Sequence, residues 1–157
     1  MQFTIIMIGK TSASYVLDGV ELFSRRIRHY YPIKWVIIPD LKDRKNLSPD
    51  QVKEKEAEAI LQILSKSGVF ILLDEKGKEY RSLDFSAFLQ KHLNMGYKDI
   101  VFVIGGAYGV SQSVMNLANY KISLSQMTFT HQFIRLMLVE QLYRAMTIIK
   151  NEPYHNE

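Results

Sequence analysis

Two stretches of this sequence combine residue types that could hold a small organic ligand. The first is Gly105-Gly106-Ala107-Tyr108-Gly109, which follows an apolar run and precedes a helix-like segment. Glycine lets backbone N–H groups come close to a ligand and tolerates positive φ. The spacing is G-G-x-x-G, which is neither the G-x-G-x-x-G dinucleotide fingerprint nor a P-loop, since no Gly-Lys-Ser/Thr follows. A tight strand-to-helix turn without a ligand accounts for the same residues equally well. The second stretch is Ser123-Leu124-Ser125-Gln126-Met127-Thr128-Phe129-Thr130-His131, which leaves a strand and enters the longest helix without Gly or Pro. Its Met, Phe and hydroxyl groups can wrap an apolar ring while its backbone supplies hydrogen bonds. The ordinary alternative is a half-buried connection whose apolar residues belong to the core.

Polar groups able to act on a second reactant gather later in the chain. His131, Arg135, Glu140, Gln141 and Arg144 form one set on the last helix. Glu140 and Arg144 have the favourable orientation for an i,i+4 pair, and a solvated, salt-bridged face is the plain reading of the set. The ending Pro153-Tyr154-His155 would be a frayed terminus by default. Its two rings can also stack on a base or handle a proton. Arg25-Arg26-Ile27-Arg28-His29 and Lys42, Arg44 and Lys45 are basic clusters, either exposed faces or a phosphate footprint. No carboxylate pair, metal-ligand cluster or Ser–His–Asp arrangement stands out, so no metal is expected. The four histidines, His29, His92, His131 and His155, are dispersed, and His92 is expected at a helix surface or boundary.

These residues need a scaffold, and the pattern alternates strand-like with helix-like segments throughout. Strands are expected at 2–8, 33–38, 69–73, 100–104 and 120–124. Helices are expected at 12–31, 49 to about 66, 82 to 96, around 111–118, and 131–150. In the first helix Val16, Val20, Phe23, Ile27 and Tyr30 share one face, and Pro32 is the expected stop. Ser48-Pro49-Asp50-Gln51 offers an N-cap, a proline at the first helical position and a capping box. Ser82 is the expected cap of the third helix. The last helix carries a wide apolar face at Ile134, Met137, Leu138, Leu142, Ala145 and Ile149, with Phe133 beside it. That face exceeds what one sheet can cover and points to a dimer. Alternating strands and helices imply an α/β fold, a mostly parallel sheet with helices on both sides. Ligands in such sheets sit beyond the carboxyl ends of the strands. The expected site is therefore built from the loops after the third, fourth and fifth strands.

Composition sets the boundaries. A chain of 157 residues with 47% hydrophobic residues fits one domain, spanning 1–157, with a real core. No apolar run approaches the roughly 20 residues a membrane helix needs, and the start does not read as a signal peptide. The absence of cysteine excludes disulfides and thiol chemistry and is compatible with a reducing cytoplasm. A net charge of +4 favours a polyanionic partner.

Taken in order, the late segments resemble the RlmH family of the SPOUT methyltransferases. The matching pieces are Leu73-Asp74 with Gly77-Lys78, then Val103-Ile104-Gly105-Gly106 with Gly109. Ser123-Leu124-Ser125 follows, running through Met127-Thr128 to His131 and Arg135. Glu140-Gln141-Leu142-Tyr143-Arg144-Ala145 and the ending Pro153-Tyr154-His155 complete the late set. Ile8-Gly9-Lys10 and Lys53-x-Lys55-Glu56-Ala57 fit as well, so the likeness spans the chain. One departure is Thr130, where the family usually places a proline that would stiffen the loop.

The resemblance implies a SPOUT fold with a C-terminal trefoil knot and a homodimer. It implies S-adenosyl-L-methionine as cofactor, contacted by Leu73, Gly106, Ser125, Gln126, Met127, Thr128, Phe129 and Thr130. It implies N3-methylation of a pseudouridine in helix 69 of 23S ribosomal RNA on the assembled ribosome. Catalytic roles would fall on His131, Glu140, Arg144, Tyr154 and His155, with His155 or Glu140 favoured as proton acceptor. Two other classes fit the residues without the resemblance: a non-catalytic RNA- or ribosome-binding module, and an α/β nucleotide-binding protein using the glycine loop. The second is weakened because no Lys or Arg follows that loop closely.

Overall fold

The computed structural model describes residues 1–64 and 68–155. In chain order the elements are β1 (Gln2–Ile8), α1 (Ser14–Ile27), β2 (Ile33–Ile38), α2 (Pro49–Ile63), β3 (Gly68–Glu79) and α3 (Ser82–Asn94). β4 (Asp99–Ile104), α4 (Gln112–Leu117), β5 (Tyr120–Ser123) and α5 (Phe133–Ile149) follow, and a short 3-10 turn occupies Arg44–Asn46. The five strands form one sheet in the order β2-β1-β4-β3-β5, and every pairing is parallel. All five carboxyl ends therefore open on one edge.

Period-two alternation divides the strands between two cores. Phe3, Ile5 and Met7 of β1 face the core shared with α1, α3 and α5. Ile6 and Ile8 face the core shared with α2 and α4. Burial on both faces explains why the central strands read as unbroken apolar runs. The capping box at the start of α2 forms as the sequence requires, with Ser48 and Gln51 bonding reciprocally.

Several expectations change. α1 ends at Ile27, before Pro32, because the Ile27 carbonyl accepts from the N–H groups of both Tyr30 and Tyr31 and closes a turn. α2 ends at Ile63, and Lys66, where its end was expected, lies outside the described residues. Ser82 is not the cap of α3; Arg81 holds that position, and the Ser82 hydroxyl bonds Gln141 on α5 instead. His92 is buried rather than at a surface, since Phe85, Leu89 and His92 share the inward stripe of α3. Its Nδ1–H donates to the Phe88 carbonyl at 2.7 Å, and its ring lies 4.9 Å from Tyr120. The apolar face of α5 is only partly covered within the chain. Leu138, Val139, Leu142, Ala145 and Met146 are buried, packed with α1 and α3. Phe133, Ile134, Met137 and Ile149 of the same face stay partly exposed.

β3 is longer than expected and shapes the site. It pairs with β5 up to Leu73–Ile122, bulges over residues 74–77, and rejoins at Lys78–Ile122. Gly77 makes this possible, because a Cβ there would lie 2.6 Å from the Ile122 backbone. Gly77→Ala should destabilise the protein by about 1–3 kcal/mol, the cost of overpacking against unyielding backbone. Urea denaturation checks it; an unchanged midpoint would show that the bulge is not pinned there.

Candidate active site

A cleft of about 1030 Å³ lies at the carboxyl edge of the sheet. Its walls are the loops after β3, β4 and β5, as the sheet topology led one to expect, together with residues from the start of α1. Leu73, Gly106 and Ser125, Met127, Thr128, Phe129 and Thr130 line it, as does His131. Gln126 does not; its amide donates to Glu79 at 3.0 Å. Thr128 Oγ1 donates to Glu75 at 3.4 Å, so the β3 bulge and the 123–131 loop brace each other across the cleft.

The 123–131 loop holds its shape without Gly or Pro by bonding to itself. Ser123 Oγ donates to the Ser125 carbonyl at 2.8 Å, and the Ser125 hydroxyl accepts from Met127 N–H at 3.0 Å. Thr130 takes up the role that a proline ring could not fill: its hydroxyl accepts from Phe133 N–H at 3.2 Å in the first turn of α5. Such side-chain bonds satisfy helix-start donors. Met127 is 74% exposed and Phe129 38% exposed, and both border the cleft. Apolar side chains held open over a polar-backed cleft suit an aromatic ligand ring.

The glycine loop is tight on two sides. A Cβ on Gly105 would lie 2.8 Å from Val110, and one on Gly106 would lie 2.7 Å from the Glu56 carboxylate. Gly106 is thus required by what lies beneath the loop, and it lines the cleft as well. Glu56 is 4% exposed, and its carboxyl pKa is raised, chiefly by burial, against the opposing pull of Arg44. Sequence reasoning matched Glu56 to a motif without finding its contact with the loop. It also missed Ser12 and Tyr15 on the cleft wall, which belong to a segment distant in sequence, and Gln132, which directly follows the loop. Only Gln132 carried a signal, as an amide at the start of a long helix.

The expected catalytic set splits in two. His131 lines the cleft. Glu140, Arg144, Tyr154 and His155 form a separate cluster further along α5, at roughly 14–20 Å for helical rise. Arg144 Nη2 donates to Glu140 Oε1 at 2.6 Å, and Tyr154 Oη donates to the same oxygen at 3.1 Å. The Arg144 guanidinium lies over the Tyr154 ring at 4.8 Å and donates to His155 Nδ1 at 3.4 Å. Tyr143 meets Tyr154 edge-on at 4.8 Å. The tail is therefore anchored rather than frayed. The Glu140 hydrogen bond keeps Arg144 more firmly protonated, while burial leads in raising the Tyr154 pKa. Arg135 is not on a solvated face either. It is fully buried, donating to the Ile8 carbonyl at 2.6 Å and to Thr11 Oγ1 at 2.9 Å.

Comparison with known proteins agrees with this geometry. The family described as "Predicted SPOUT methyltransferase" matches residues 1–155, and the chain belongs to the SPOUT methyltransferases. Within that class it is a member of the RlmH family. A protein of Parabacteroides distasonis named "Ribosomal RNA large subunit methyltransferase H" is 51% identical over 100% of both chains. The protein of the same name from Christiangramia forsetii is 49% identical over 99% of both. Among solved structures, a probable methyltransferase from Bordetella pertussis Tohama I shares the fold with a TM-score of 0.57 at 12% identity, covering 92% of this chain and 94% of that one.

SPOUT methyltransferases use S-adenosylmethionine, which makes the glycine loop testable. Gly106→Val should lower affinity for it at least about tenfold, because the loop must rise off Glu56 or push it aside. Adding Glu56→Ala to make room should recover part of the loss. Calorimetric titration of the folded variants checks this, and unchanged affinity in the single variant would refute the role given to the loop.

Proposed function

We propose that this protein uses S-adenosyl-L-methionine to methylate N3 of a pseudouridine in helix 69 of 23S ribosomal RNA on the assembled ribosome. The observation that carries the reading is the cleft itself. It joins the backbone of Gly105 and Gly106, with no room for side chains, a self-bonded hydroxyl loop, and apolar Met127 and Phe129 at its mouth. Leu73, Gly106 and the 125–130 loop would hold the cofactor, with Gln126 acting from behind through Glu79. When bound, the cofactor supplies an electrophilic methyl group on sulfonium. The protein's own task is to position the acceptor nitrogen and take its proton, contributions worth several kcal/mol and about 10²–10⁴-fold.

The functional unit in this reading is a homodimer with its C-terminal part threaded as a trefoil knot. Within one chain the cleft and the Glu140–Arg144–Tyr154–His155 cluster are set apart along α5, and a partner's cluster facing the cleft would bring them together. Tyr15, 64% exposed on the cleft wall, offers apolar surface for such a partner. Glu140 is fully engaged by Arg144, Tyr154 and Gln141. This makes it an anchor for the tail rather than a proton acceptor. Tyr154 and His155 then serve to hold the RNA. The work belongs in the cytoplasm with ribosomes, and among the described residues no helix is long and apolar enough to cross a membrane.

Ribosomal RNA from cells lacking the protein should be short of one methyl group by mass spectrometry; an unchanged RNA would overturn the reading. Deleting residues 153–157 should leave cofactor affinity nearly intact and reduce methylation of unmethylated ribosomes at least about a hundredfold. His155→Ala should reproduce much of that loss. Mixing the truncated chain with Gly106→Val chains should restore part of the activity if the tail works across a dimer, and restore none if it works within its own chain.

A further inference from the structure

A second, smaller groove of about 510 Å³ lies beside the cleft. Ser12, His131 and Gln132 line both, so they form the ridge between them. The ridge is firmly built. Gln132 Oε1 accepts from Ser12 N–H at 3.0 Å and Ala13 N–H at 3.1 Å, and its amide donates to Ser12 Oγ at 2.8 Å. The far wall is Ile37 and Pro39, the end of edge strand β2. Ile37 is 43% exposed. Asp40 and Lys10 complete the rim. Gly9, at φ +71°, lets the chain turn where any Cβ would collide with the Asp40 carboxylate.

Thus one apolar wall faces one imidazole across a groove rimmed by a carboxylate and an ammonium. That combination suits a planar heterocycle with an N–H to lose and a phosphate alongside. We propose that the groove seats the target pyrimidine against Ile37 and Pro39, with His131 on the ridge accepting its N3 proton. This rests on the methyltransferase reading above. Enzymes that modify a base commonly take it out of the stack into such a recess. The step balances: the N3–H bond breaks and its proton passes to the imidazole. The freed N3 electron pair bonds the methyl carbon, the carbon–sulfur bond breaks, and that pair stays on sulfur as a neutral thioether.

The surroundings of His131 fit the role. Burial lowers its pKa first, then Arg135 beneath it on α5, with Arg44 from the 3-10 turn adding to the effect. Asp40 opposes these and does not prevail; Lys10 stands across the groove. The imidazole is therefore neutral near pH 7 and ready to accept a proton. Asp40 is placed to steady the imidazolium once formed. Arg135 is a positioning residue in this scheme, because it touches no reactant.

Three full-length variants test the proposal. Ile37→Trp fills the groove from an exposed position outside the cleft. It should leave S-adenosylmethionine affinity within about twofold and weaken ribosome methylation at least about tenfold through KM. His131→Gln, at saturating cofactor, should reduce kcat about a hundredfold or more. It should also abolish the acid limb expected of the wild-type profile below the ordinary histidine range. Without any substrate, proton–nitrogen NMR should show His131 titrating below that range, and lower still in Asp40→Asn. A wild type that methylates ribosomes while Ile37→Trp and His131→Gln keep full turnover overturns the groove proposal alone. So does a His131 that titrates at the ordinary value and ignores Asp40. A wild type that transfers no methyl group to ribosomal RNA takes down both this proposal and the reading beneath it.

Discussion

The guanidinium of Arg135 joins the two ends of the protein. It is wholly buried, and it donates to the carbonyl of Ile8, 127 residues earlier, and to Thr11. Burying a cation is expensive unless its hydrogen bonds are made. Here Nη1 and Nη2 bond groups at and just after the carboxyl end of β1 while the buried Nε is left without a partner, and this ties the start of α5 to the edge of the sheet where the strands open. His131 and Gln132 follow from that constraint. One reaches the cleft, and the other locks residues 12–13 against the start of α5. A lysine would keep the charge but lose the planar fork that reaches two acceptors at once.

The division of labour among the loops has a common cause. All five strands are parallel, so every loop at the carboxyl edge leaves a strand of the same sheet, and the inner strands β1 and β4 and the first half of β3 are buried on both faces over most of their length. The backbone there is fixed by the sheet, and the loops inherit that rigidity for only a few residues. Those few residues form the cleft: the bulge after Leu73, the glycines after Ile104 and the hydroxyl loop after Ser123. A site placed this way can vary its chemistry through side chains while its frame stays the same.

The alternation of elements was legible because apolar periodicity is set by burial, and burial here is regular. The glycine loop and the 123–131 loop were legible as places, since each interrupts a strand-to-helix passage in an unusual way. Much of what the sequence hid is polar groups whose hydrogen bonds are made inside the fold. Arg135 and His92 read as surface residues by type, yet each lies on the buried stripe of its helix and donates to a backbone carbonyl. The second half of β3, Asp74-Glu75-Lys76-Gly77-Lys78-Glu79, carries no strand pattern at all. It is held by backbone pairing to β5 and the missing Cβ at Gly77. Tyr154 was invisible as an anchored residue because its partners, Tyr143, Arg144 and Glu140, are gathered only once α5 and the turn after it exist.

The strand order also governs how the molecule comes into being. β1 occupies the interior of the sheet between β2 and β4, and β4 begins at Asp99. While the chain is being made, β1 and β2 can pair early, but the other side of β1 stays open until β4 emerges. The last helix, which buries Phe3, Ile5 and Met7 from one face, arrives later still. A newly made chain therefore carries a bare, strongly apolar strand through most of its synthesis. Such long-range parallel pairing is intrinsically slow and open to aggregation.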